Sequence, residues 1–147
     1  VNDSAVYDIK IGDFEISWNL KNTTTFAIDE DSVHEAGCIH TSQGLEFDYV
    51  GVIIGDDMRY ENGTVVIDFT KRARTDQSLK GIKKLYKENP IRAKKEADEI
   101  IKNTYRALMT RGMKGCYIYC TDQNLSAYLK KCLEIQRVRD KDDKRNH

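Results

Sequence analysis

Neither sign of charge is in excess: 24 lysines and arginines balance 24 aspartates and glutamates. Global charge therefore indicates neither a nucleic-acid nor a membrane partner; only local patches can. No apolar run approaches the ~18 residues that cross a bilayer, which excludes a helical membrane span. The start, Val1-Asn2-Asp3-Ser4, has no basic stretch leading into an apolar one, so no secretory leader is legible. It also lacks an initiating Met, and the chain reads as a piece of a longer one. A cytoplasmic protein with no membrane partner is expected. No Cys-x-x-Cys pair occurs among the four cysteines. Cys38, Cys116 and Cys120 lie in apolar strand-like runs and read as buried free thiols, not as disulfides. His34, Cys38 and His40 lack metal-ligand spacing, so no metal site is expected. No internal repeat is visible.

The chain's 147 residues suffice for one domain, which would bury roughly 70% of its unfolded surface. Its most informative stretch runs from Gly37 to Gly55. Two apolar runs, Gly37–His40 and Tyr49–Ile54, flank a polar link with one glycine. Continuous Val/Ile runs suggest strands covered on both faces. A polar link between such strands is where backbone and side chains can meet a ligand.

Residues 1–36 read as an N-terminal arm, either a hairpin around Gly12-Asp13 or an irregular segment. After the central unit, Asn62-Gly63 signals a tight hairpin turn. A basic link follows, Thr70-Lys71-Arg72-Ala73-Arg74-Thr75. A helix is expected from Asp76 to Glu88, with Leu79, Ile82, Leu85 and Tyr86 inward and a lysine-rich outer face. The single proline, Pro90, suits the first turn of a longer helix to about Thr110. There Ala97, Ile100, Ile101, Thr104, Tyr105 and Leu108 form one buried stripe. Gly112 is expected to end that helix. Gly115–Cys120 reads as a third buried strand. Asp122 caps a last helix to about Val138, with Leu125, Tyr128, Leu129, Cys132 and Leu133 inward. Residues 139–147 read as a charged, disordered tail. The order suits an α/β fold: a mixed, mostly parallel sheet flanked by helices, with a β-hairpin insertion. One tension stands. Ser42–Asp48 is short for a crossover between parallel strands, so it either makes one helical turn or joins strands that are not ordinary neighbours.

At His40-Thr41-Ser42-Gln43-Gly44-Leu45-Glu46-Phe47-Asp48-Tyr49-Val50 the chain resembles motif V of superfamily-one helicases. The Gln43-Gly44 form looks most like the RecD-like and Schlafen-like branches; many relatives carry Lys where this chain has Gln43. Tyr105-Arg106-Ala107-Leu108-Met109-Thr110-Arg111-Gly112 resembles motif VI, a helix ending in Thr-Arg before a core strand. The order of the two also resembles the C-terminal part of a family of uncharacterised bacterial helicase-like proteins. The resemblance covers most of Gly37–Thr121 and implies the second RecA-like domain (P-loop NTPase type), residues 37–138, of a longer chain. The first domain's features are absent: no Gly-x-x-x-x-Gly-Lys-Ser/Thr loop and no Asp-Glu pair after an apolar strand.

The resemblance implies that Arg111 reaches ATP held, with Mg2+, by an N-terminal RecA-like domain of the same parent chain, neutralising charge during phosphoryl transfer. It puts Glu46 at the nucleotide sugar or an ordered water. Gly44, Gln43 and Arg106 are further nucleotide-side candidates. Thr41 and Ser42, with Lys71, Arg72 and Arg74 of the basic link, are candidates for single-stranded DNA or RNA. The fragment alone is expected to be inactive. The implied function is to complete the ATP site and part of the nucleic-acid groove of an ATP-dependent helicase or translocase. The alternative is a non-catalytic nucleic-acid- or protein-interaction module derived from such a core.

Overall fold

The computed structural model describes residues 9–11, 14–18, 35–37, 44–74 and 76–146. Strands β1 (Ile9–Ile11), β2 (Phe14–Trp18) and β3 (Glu35–Ala36) form one small sheet. In it β1 and β2 are antiparallel, so the arm takes its hairpin form, and β2 and β3 are parallel. Strand β4 (Phe47–Ile54) pairs with β7 (Gly112–Cys120). Between them come β5 (Met58–Glu61), β6 (Thr64–Ile67), α1 (Ile82–Glu88) and α2 (Pro90–Met109); α3 (Gln123–Arg145) follows. Among the described residues no helix is long and apolar enough to cross a membrane. The result is mixed α/β with a small parallel pair, as the element order suggests.

Chain contacts divide the molecule into two units, Val1–Gly51 with Thr104–Tyr117, and Val52–Asn103 with Ile118–His147. In the second unit Ala93 and Ala97 of α2 pack on Ile82, with Phe69, Leu79, Leu85 and Ile100 closing around them. The stripe read from the sequence is the stripe that is buried: Ala97 and Ile101 are fully enclosed, and Thr104 and Tyr105 nearly so. Pro90 opens α2 as expected, because its missing N–H falls where a helix has no partner to give. Asn89 caps it, its side chain accepting from Arg92 N–H at 3.1 Å.

The β5–β6 hairpin also follows local rules. Glu61 pairs with Thr64, and Asn62 and Gly63 both take positive φ, 50° and 78°, the mark of a two-residue hairpin turn. Asp122 caps α3 by accepting from Leu125 N–H at 3.1 Å.

Four expectations change. The helix from Asp76 to Glu88 is broken into a 3-10 turn, Gln77–Leu79, and the shorter α1. Gly81 between them sits at φ 89°, which a right-handed helix cannot contain. The apolar spacing was helical, but the backbone was not. The last helix runs past Val138 to Arg145, while Cys132 and Leu133 lie exposed; only its first turns pack inward. Strands β4 and β7 are not covered on both faces: Tyr49, Met113 and Tyr117 are exposed, Tyr117 at 71%. Among the described residues the pair has no third strand beside it.

Gly112, finally, does not end the helix. It begins β7, after a turn at Thr110-Arg111. Phe47 N–H donates to the Arg111 carbonyl at 2.9 Å, and Thr121 N–H donates to the Ile54 carbonyl at 3.0 Å. Matching ends meet, so β4 and β7 are parallel, with Phe47 opposite Gly112 and Ile54 opposite Cys120. Eight residues of β4 therefore face nine of β7. The surplus residue is a bulge. Its place is Gly112–Gly115, where a Cβ on Gly112 would collide with the Gly115 carbonyl and lie 3.1 Å from Val50 Cγ2. In an extended strand residues three apart are roughly 10 Å distant, so the backbone here is sharply bent. A Cβ on Gly115 would in turn sit 3.1 Å from two carbons of the Tyr49 ring. Gly112→Ala is expected to cost about 2 kcal/mol in a chemical denaturation measurement, the scale of an overpacked site. A variant as stable as the parent chain would show that the bend tolerates a side chain.

Candidate functional site

The loop before β4 and the turn before β7 are brought together by one backbone bond. Because Phe47 N–H reaches the Arg111 carbonyl, Glu46 and Arg111 lie next to each other at the amino ends of the two parallel strands. Glu46 is exposed and Arg111 half-buried. The Arg111 backbone is held on both sides, its N–H donating to the Leu108 carbonyl at 3.3 Å. Its guanidinium has no ion-pair partner among the described residues. Gly44, also exposed, adopts φ 77°, a left-handed turn that suits glycine. Arg106 is exposed in the last turn of α2, and its carbonyl accepts from Thr110 N–H at 3.0 Å. Thr41, Ser42 and Gln43, and the strand expected at Gly37–His40 apart from Gly37, lie outside the described residues.

This edge has a definite chemistry. It offers the Arg111 guanidinium, the Glu46 carboxylate and the Gly44 backbone, beside an exposed ion pair of Lys114 with Asp48 at 3.1 Å. It also lies at the amino ends of its strands, whereas open α/β sheets bind ligands at the carboxyl ends. Such an edge does not enclose a ligand by itself; it suits groups presented to a ligand held elsewhere. Among the described residues no three His, Cys, Asp or Glu side chains come together as a metal site.

The basic link is less uniform than its sequence. Lys71 and Arg74 are exposed. Arg72 is not available in the same way: its side chain is 16% exposed and sits between two carboxylates. It pairs with Asp57 at 3.1 Å and with Asp76 at 2.7 Å, and Asp57 is itself buried. Arg72 is thus a clamp that ties the turn after β4 to the 3-10 turn before α1. The sequence hid this because Asp57 lies far upstream. Burial works against the Asp76 carboxylate, but hydrogen bonds from the Ser78 hydroxyl and N–H, together with Arg72, hold its pKa below the usual range. Thr70 does the same for Asp68.

Three features of the second unit escaped sequence reasoning. The Tyr60 and Tyr128 rings stack, centroids 4.3 Å apart and planes 14° apart. The capping carboxylate of Asp122 has a second donor, Tyr60 N–H at 2.8 Å. Arg59 binds Glu61 and Asp68 across the hairpin. Each joins residues remote in sequence or a side chain whose obvious role was elsewhere. Cys116 and Cys120 are free thiols, Cys120 buried as read and Cys116 only half-buried, and burial raises both their pKa values; Cys132 is free and exposed.

The family model for the Schlafen group 3 DNA/RNA helicase domain matches residues 2–122. A curated relative, an uncharacterized protein of Saccharomyces cerevisiae, is 30% identical over 127 residues. The match takes in 84% of this chain and 27% of the relative, so the chain spans about a quarter of that protein's length. It is a yeast protein, whereas the resemblance pointed to bacterial ones. No solved structure matches.

Removing Arg72 takes an ion-pair partner from the buried Asp57 and from Asp76. Arg72→Ala is expected to lose about 3 kcal/mol of stability at pH 7, as when one partner of a buried ion pair is deleted. Asp76 has a depressed folded pKa, so its contribution is full above the unfolded aspartate value of about 3.9 and fades as pH falls through the folded one. The deficit of Arg72→Ala should therefore shrink below about pH 4. Denaturant melts of both chains across this range check it; an equal deficit at every pH would assign the loss to packing alone.

Proposed function

Because the chain belongs to the Schlafen group 3 DNA/RNA helicase domain family, we propose that it is the second RecA-like half of an ATP-dependent helicase or nucleic-acid translocase. In this reading the loop before β4 is motif V and the end of α2 with Thr110-Arg111 is motif VI. The observation that carries it is the adjacency of Glu46 and Arg111, sixty-odd residues apart, through the Phe47–Arg111 backbone bond. A single nucleotide can meet both.

The roles follow from the chemistry. ATP is held, with Mg2+, by the preceding half of the parent chain. Arg111 offers a guanidinium with no ion-pair partner among the described residues, and it counters the charge on the transferring phosphoryl group. An arginine delivered across an interface in this way is worth roughly 10³–10⁵ in rate. Glu46 accepts hydrogen bonds from the sugar or from an ordered water. Gly44 lets the backbone approach the phosphates, and Gln43 and Arg106 flank them. Thr41 and Ser42 hydrogen-bond the nucleic-acid backbone, and Lys71 and Arg74 pair with its phosphates. Arg72 keeps that link in shape from behind and does not contact the strand.

In the parent protein, Arg111→Ala is expected to lower ATP turnover at least about 10³-fold while ATP affinity changes little. Steady-state kinetics beside equilibrium nucleotide binding separate the two. Undiminished turnover would remove Arg111 from the site.

Charge reversal at two link positions tests the strand-binding face. Lys71→Glu with Arg74→Glu should weaken binding of single-stranded DNA or RNA and flatten the slope of log K against log salt by about 1.4, roughly 0.7 for each phosphate left without its cation. An unchanged slope would assign the link to the solvated surface.

A further inference from the structure

A groove of about 690 Å³ opens between the β5–β6 hairpin and α3. Tyr60, Glu61 and Asn62 line it from the hairpin, and Asn124, Tyr128 and Lys131 from the helix. We propose that this groove is a stacking site for an unpaired base of single-stranded nucleic acid. The proposal rests on the helicase-type reading for its choice of ligand class and adds a contact that no motif of that reading contains.

The lining carries the argument. The two tyrosine rings are already stacked on each other and nearly parallel, and both line the groove, so a base would add to the outer side of an existing pair instead of ordering two separate rings. A base placed on that surface extends the stack, and every base has a face that can do so. The amides of Asn62 and Asn124 stand on opposite walls, and each can both donate to and accept from a base edge. Lys131 supplies the cation for the adjoining phosphate, and among the described residues no carboxylate neutralises it. The one carboxylate in the lining, Glu61, is held by Arg59 at 2.8 Å and so repels a phosphate less than a lone acid would. The volume lies within the roughly 300–1,000 Å³ of small-ligand sites.

The groove is also preformed. One oxygen of Asp122 accepts from Tyr60 N–H in the hairpin, at 2.8 Å, and from Leu125 N–H in the helix, at 3.1 Å. The two walls are thereby tied to the same atom. A ligand meets a surface whose ordering cost is already met by folding, which favours affinity.

The test uses a labelled single strand of about 12 nucleotides, DNA and RNA in turn, with a fluorescent base analogue in its middle, beside a strand of the same length that is abasic throughout. Tyr128→Leu is expected to weaken binding about 10-fold, the effect of removing one stacked base. The same substitution should make no difference on the strand whose bases are removed. Lys131→Glu, at an exposed position, should weaken binding and flatten its salt dependence. In the unaltered chain the base analogue should be quenched on binding. If Tyr128→Leu proves unfolded by circular dichroism, Lys131→Glu and the quenching decide alone. Normal binding by folded Tyr128→Leu, or by Lys131→Glu without quenching in the parent chain, overturns the groove. If Lys71→Glu with Arg74→Glu still weakens binding in that case, the helicase-type reading stands without the groove. A chain that binds no single strand at low salt overturns the groove and removes nucleic-acid contact from the wider reading as well.

Discussion

A single backbone hydrogen bond, from Phe47 N–H to the Arg111 carbonyl, sets which residues of this chain meet at the amino ends of β4 and β7. Reversed strand direction would have carried Glu46 and Arg111 to opposite ends of the pair, some eight residues apart. Because the bond fixes parallel direction at one end and Thr121 N–H to the Ile54 carbonyl fixes it at the other, everything before β4 and everything before β7 converges. The long excursion through the hairpin and two helices is what a parallel return demands.

Elsewhere in the molecule, polar side chains do the organising. In the second unit three carboxylates each hold two partners. Asp122 serves a strand amide and a helix amide, Asp76 serves Ser78 and Arg72, and Asp68 serves Thr70 and Arg59. Most of the other described charged residues are exposed to solvent. Several of the carboxylates substitute for missing apolar contacts at turns and helix starts, where unsatisfied backbone donors would otherwise face the interior.

The features legible in the sequence were those with local causes. Asn62-Gly63, Pro90 and Asp122 act within four residues of themselves, and all three do what their chemistry dictates. The stripe on α2 was legible because a helix repeats its own geometry. Gly81 and Gly112 misled for one reason: a glycine marks unusual backbone but does not say which kind. At Gly81 it broke a helix that the apolar spacing continued; at Gly112 it allowed a bend in a strand, not a helix ending. Continuous apolar character in β4 and β7 implied covering layers, yet coverage depends on partners that a strand's own residues do not specify. As for the candidate site, the residue types of Glu46 and Arg111 were legible, and their nearness was conditional on strand direction. The Arg72 clamp and the Tyr60–Tyr128 stack were invisible, since nothing in a one-dimensional string marks which distant partner a side chain will find.

The bulge in β7 has a consequence for how positions alternate along that strand. Along a strand, inward and outward positions alternate like the squares of a chequered row, and an added residue inverts the colours from that point on. Residues on the Arg111 side of Gly112–Gly115 and those on the Tyr117 side thus belong to opposite parities. The bend works as a vernier: the turn at Arg111 is set one step earlier in the chain than an unbroken ladder would place it, while the strand beyond keeps its register with β4.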